Sequence, residues 1–140
     1  QMLLVMVASG TGSVRVHMSV GQRPPLLAGA AGRLIAAYLG LKPAELRRLF
    51  RQVSWDRSLS FEKYMSQVAK ARARGWAEDD GHIIAGTYTV SVPVFNREGQ
   101  FVMACSATML RNQYSNQHVK RVVAGLSGVS QRITQLSPAL

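Results

Sequence analysis

Thr87, Thr89 and Ser91, followed by Ala104, Ser106 and Thr108, alternate along two strand-like segments that flank Asn96-Arg97-Glu98-Gly99. With a loop joining Phe95 to Gln100, Thr89 faces Ser106, Thr87 faces Thr108 and Ser91 faces Ala104. Side chains alternate across a strand, so all six then share one face of the hairpin. Tyr88, Val90, Val92 and Val94 share the other face with Phe101, Met103, Cys105 and Ala107. One face is apolar core. The other is small, hydroxyl-rich and free of charge, which suits either a solvent face or the floor of a cavity where a few polar groups orient a small ligand.

Ala28-Gly29-Ala30-Ala31-Gly32-Arg33, after Pro24-Pro25, is a small-residue helix start. It fits close helix packing. Its first amides and the positive end of the helix dipole are also of the kind that can hold a carboxylate without a cationic side chain. Glu78-Asp79-Asp80 reads as an acidic turn, with Asp79 able to accept a ligand hydroxyl. One such run is no metal site, because metal ligands converge from several segments.

Motifs for catalysis are absent: there is no phosphate loop, no Gly-x-Ser-x-Gly elbow and no metal-spaced His or Cys pair. The single cysteine, Cys105, falls on the apolar face as a structural thiol. The chain is not expected to be an enzyme, and no cofactor or metal is implied.

The elements that position these residues follow from periodicity. Met2–Ala8 is an apolar run and Ser13–Ser19 alternates, which together predict an N-terminal β-hairpin. Gly29–Leu39 predicts a helix, as does the stretch from Pro43, which sets Leu46, Leu49, Phe50 and Val53 against Arg47, Arg48 and Arg51. Ser60–Arg74 is a third helix, closed by Gly75. Ile83–Phe95 and Gln100–Met109 are strands. Ser115 caps a final helix reaching about Leu136, with Val119, Val122, Val123, Leu126, Val129 and Ile133 inward. Strands, helices, strands, helix in that order predict an α+β fold around an antiparallel sheet.

At 140 residues the chain accommodates one domain, 1–140. Its Lys and Arg total 17 against 7 acids, for a net charge of +10. That balance favours anionic partners, and a nucleic-acid-binding module built on the basic helices is the alternative to a small-molecule site. The Arg residues are not interleaved with aromatics, so a single-strand stacking platform is unsupported. No apolar run is long enough to cross a membrane. Because the chain begins with Gln1 and enters patterned sequence at once, it reads as a piece of a longer protein.

In this order and spacing the sequence resembles the C-terminal effector-binding domain of the IclR family over roughly residues 12–136. The likeness is carried by Pro25-Leu26-Leu27-Ala28-Gly29-Ala30-Ala31-Gly32-Arg33, Ala44-Glu45-Leu46-Arg47-Arg48-Leu49 and Gly75-Trp76-Ala77-Glu78-Asp79-Asp80. Gly86, Val92-Pro93-Val94-Phe95-Asn96-Arg97-Glu98-Gly99 and Ala104-Cys105-Ser106-Ala107-Thr108 continue it. The resemblance implies a GAF-like domain, a curved antiparallel sheet with core helices on one face and a ligand pocket on the other. It further implies a cytoplasmic transcriptional regulator, dimeric or tetrameric, that binds DNA through an N-terminal winged helix-turn-helix and responds to a small carboxylate or aromatic acid. Carried over by position, that pocket uses Ala30, Ala31, Asp79, Thr87, Thr89, Ser106 and Thr108. Thr89 stands where relatives often have Cys, and Thr108 where many have Ser. Two departures mark a divergent member: Gly81-His82 replaces two acids, and Lys42 replaces a Ser or Thr helix cap.

Overall fold

The computed structural model describes residues 1–137. It contains helices α1 (Gly29–Tyr38), α2 (Pro43–Phe50) and α3 (Phe61–Arg74), then strands β1 (Ala77–Asp80), β2 (Thr87–Phe95) and β3 (Phe101–Leu110). A short 3-10 turn, Arg111–Gln113, leads into the long helix α4 (Asn116–Leu136). The strands form one antiparallel sheet in the order β1-β2-β3.

Helix boundaries follow the local chemistry. The Ser60 hydroxyl accepts from the Lys63 amide at the start of α3, and Ser115 does the same for His118 at the start of α4. Gly75, at φ 83°, closes α3 in the left-handed conformation that glycine adopts without strain. Pro43 opens α2, where its missing N–H costs nothing.

The sheet is covered on both faces. Tyr88, Val90 and Met109 pack with Val119, Val122, Val123 and Leu126 of α4. On the other face Ala77 and Ala104 meet Ala30 and Leu34 of α1, with Ala71 of α3 behind them. Gly32 lets the Leu27 backbone, in the turn before α1, fold back against the helix: a Cβ there would collide with the Leu27 carbonyl carbon. Beyond α1, Leu27, Ile35, Leu46, Val53, Leu59, Tyr64 and Val68 form the helical core. Helix α4 is further tied to β2 by two hydroxyls, Ser130 to the Pro93 carbonyl and Thr134 to the Phe95 carbonyl, both at 2.7 Å. Pro93 is tolerated in β2 because β1 pairs only with residues 88–91, leaving 92–95 an edge on that side.

Several expectations are corrected. Residues 1–20 form no hairpin: only residues 2–4 run beside residues 21–24, through the Met2, Leu4 and Gly21 amides. An isolated pair of strands is marginal in water, and this segment pairs with no strand of the sheet among the described residues, so Val5, Met6 and Val14 remain exposed. Glu78-Asp79-Asp80 lies in β1 rather than in a turn, and β2 starts at Thr87 because residues 81–86 make the connection. In α4, Val129 faces solvent and Ser130 is buried in its place.

The β2–β3 register also differs, by two residues. Thr89 faces Thr108, Ser91 faces Ser106 and Thr87 faces Leu110. The first displacement comes from the loop, which closes between Asn96 and Gln100 around Gly99 at φ 77°. A bulge between Phe95–Phe101 and Val94–Met103 adds the second. Two single-residue slips restore parity, so the six small residues still share a face; Phe101 changes sides and joins Phe95 against Tyr38 of α1.

Candidate functional site

The small, hydroxyl-bearing face of β2 and β3 is the one turned toward α1. Its hydroxyls bond to each other across the strands, Thr89 to Thr108 at 3.0 Å and Ser91 to Ser106 at 2.6 Å. Within such a pair one hydroxyl donates and the other accepts, so each pair keeps one proton and spare lone pairs for a third group. Ser91 is fully buried, Thr89 and Thr108 are half-buried, and Ser106 is exposed. Thr87 is buried and spends its proton on the Ile84 carbonyl at 2.8 Å, closing the turn that starts β2.

The start of α1 lies at the Thr89 end of this face, since Gly29 approaches Ile83 and Arg33 reaches Asp79, the β1 neighbour of Thr89. Ala28 is the N-cap and offers no side-chain acceptor. Neither Ala30 nor Ala31 donates to backbone outside the helix among the described residues. Ala30 is buried and packed against the sheet; Ala31 is half-buried.

Asp79 has a partner that the sequence analysis missed. It is 2% exposed and forms an ion pair at 3.0 Å with Arg33, which is 1% exposed. The contact misses hydrogen-bond geometry, so Arg33 Nη2 and Asp79 Oδ1 are buried without a hydrogen bond among the described residues, while other atoms of both side chains are bonded. Asp79 Oδ2 accepts the Ile83 amide at 3.1 Å. Arg33 Nε donates to Gln67 at 2.9 Å, and Nη1 donates to the Gly29 carbonyl at 2.7 Å. The guanidinium lies 5.3 Å from the Tyr64 ring centre. Tyr64 donates to the Leu27 carbonyl at 3.1 Å; burial raises its phenol well above the usual value, against the lowering effect of Arg33. A legible signal was present: Arg33 falls on the inward stripe of α1 between Ala30 and Ala37, and an Arg there requires a buried acid. Asp79 therefore holds β1 to the first turn of α1.

Two concavities stand out, and Thr89, Ser106 and Thr108 line neither. One, of about 380 Å³, opens at the far end of α1 among Tyr38, Leu39, Phe95, Phe101 and Val102. The other, of about 140 Å³, lies between α3 and β1, beside Arg33, Lys70, Arg74, Glu78, Asp80 and His82. Glu78 accepts from the Tyr88 hydroxyl, and burial followed by that bond raises the Tyr88 phenol. Among the described residues no three His, Cys, Asp or Glu side chains converge on a metal position. No helix among them is long and apolar enough to cross a membrane.

An antiparallel sheet with α1 against its hydroxyl-bearing face and α4 across the other is a GAF-like α+β domain. The chain belongs to the family described as bacterial transcriptional regulator IclR C-terminal, whose model matches residues 1–135. The match includes the first residues, which the resemblance noted in the sequence left out. The chain is similar to the HTH-type transcriptional regulator KdgR of Escherichia coli K12, 24% identical over 127 residues, 87% of this chain and 48% of that protein. It is 32% identical over 102 residues to XynR of the same organism, covering 69% of this chain and 40% of that protein. A solved IclR transcriptional regulator from Alicyclobacillus acidocaldarius superposes with a TM-score of 0.79 at 27% identity, over 95% of this chain and 54% of that one. These relatives are transcriptional regulators, not enzymes. The chain spans less than half the length of these curated relatives.

Proposed function

We propose that this domain senses a small organic acid and relays its occupancy to DNA binding by a winged helix-turn-helix in the same cytoplasmic protein, acting as a dimer or tetramer. The observation that carries this reading is the pair of cross-strand hydroxyl bonds facing the first turn of α1. In it the effector carboxylate takes the Ala30 and Ala31 amides, where the helix dipole favours negative charge. Thr89, Thr108 and Ser106 orient the rest of the ligand. Thr87 shapes the rim through its turn bond, and Asp79 acts through Arg33, which seats the helix start. No cofactor or metal takes part.

Ligand occupancy would bias two arrangements of the assembled domains, as any effector must that binds one state better. A thermal-shift screen of small carboxylates and aromatic acids tests the reading. A ligand at 100 times its Kd adds about 2.7 kcal/mol to stability. Thr89→Val and Ser106→Ala should shrink that gain, each measured against the variant's own unliganded transition; an undiminished gain in both variants would place the ligand elsewhere.

A further inference from the structure

Arg57 and His82 bond to each other reciprocally and tie the loop 51–60, between α2 and α3, to the turn between β1 and β2. The Arg57 amide donates to the His82 carbonyl at 3.2 Å. His82 Nδ1 lies 3.1 Å from the Arg57 carbonyl, and Arg57 Nη2 lies 3.3 Å from His82 Nε2. A carbonyl can only accept and a guanidinium can only donate. Nδ1 therefore carries the proton and Nε2 presents its lone pair. The imidazole that fits is the neutral one, and it is only 6% exposed. Arg57 also donates to the Asp80 carbonyl, and the neighbouring Asp56 carboxylate accepts the Ala85 amide at 3.0 Å.

The other charges around His82 offer an imidazolium little relief. Arg33 of α1 and Lys70 and Arg74 of α3 line the same small cavity, with Glu78 and Asp80 of β1. Glu78 is shared by Lys70 and Arg74, Asp80 is paired with Arg111 at 2.9 Å, and Asp79 is paired with Arg33. Asp56 holds the turn through Ala85.

We propose that His82 and Arg57 form an acid-released latch: protonation of Nε2 sets an N–H against the guanidinium and frees the loop 51–60 from the β1–β2 turn. The loop carries Trp55, which packs on Phe50 and Tyr64 at 5.3 and 5.9 Å and lies 6.0 Å from the Arg33 guanidinium. The Trp55 indole N–H is buried without a partner among the described residues, so no hydrogen bond of its own holds the loop down. Release uncovers the arginine that seats the first turn of α1. The closed loop binds the neutral imidazole, so added acid opposes closure. Where the effector binds has no bearing on this latch.

Hydrogen exchange at the Arg57 and Ala85 amides, corrected for the intrinsic pH dependence, tests it between about pH 8 and about pH 5.5, above the ordinary carboxylate range. Protection in the wild-type chain should fall as the pH is lowered, by up to about tenfold per pH unit. His82→Gln, which stays neutral, should abolish the fall, and Arg57→Gln, which removes the opposing cation, should reduce it to less than about twofold. Constant protection in the wild type, or an equal fall in His82→Gln, overturns the latch. If His82→Gln does not fold, a full wild-type response in Arg57→Gln overturns it instead.

Discussion

Arg33 and Asp79 are shut away from water together, and each leaves the other an uncompensated charge if removed. Breaking such a pair from one side costs about 3–5 kcal/mol, whereas replacing both partners with apolar groups of similar size is often close to neutral. Arg33→Met and Asp79→Leu should each lower urea stability by that order, and the double variant should recover much of the loss. Additive losses in the double-mutant cycle would mean that the two do not act as a pair. At this scale the sequence was partly legible. Thr89, Ser106 and Thr108 were placed on one face because side chains alternate along each strand and the two register slips cancel. Arg33 was missed because an arginine within a small-residue stretch reads as surface until its stripe is drawn on the helix. Asp79 was misread for a related reason: three consecutive acids look like a turn, and only pairing with β2 shows that the middle one points inward.

At the scale of elements, helices α2, α3 and α4 were legible from apolar spacing bounded by Pro43, Ser60, Gly75 and Ser115, although α2 ends at Phe50 and Val53, expected on its apolar face, packs from the loop beyond it. The N-terminal hairpin failed because alternation states which face a strand would bury, not whether a sheet edge exists to bury it against. The β2–β3 register failed because loop closure and the bulge each add one residue, and neither is visible in the hydrophobic pattern. Helix α1 depends on a contact no propensity scale contains, the approach of Gly32 to the Leu27 backbone. Gly32→Ala ordinarily helps a helix by about 1 kcal/mol. Here the added methyl meets backbone that cannot rotate away, so the variant should lose at least about 1–3 kcal/mol. A thermal melt that rises in this variant would contradict the close approach.

The whole molecule carries a charge of +10, yet that charge is a poor guide to what the domain binds. Exposed Arg47 and Arg48 on α2 have acids nearby, Glu62 and Glu45, each at 3.9 Å, and the best-buried arginine is structural. By itself the chain should bind duplex DNA weakly, with an affinity that collapses as salt is raised through the physiological range. Tight, sequence-selective binding by this chain alone, read in a salt titration, would favour the nucleic-acid module instead. The proposed sensing rests on position: α1 packs on the sheet with its open first turn at the Thr89 end, and α4 closes the opposite face. The most direct test is backbone amide NMR during titration with the acid that gives the largest thermal shift. The account predicts that the largest saturable shifts fall on Ala30, Ala31, Thr89 and Thr108, and that Thr89→Val weakens the fitted affinity. Shifts centred instead on Tyr38, Phe95 and Phe101, with Ala30 and Thr89 unmoved, would contradict it.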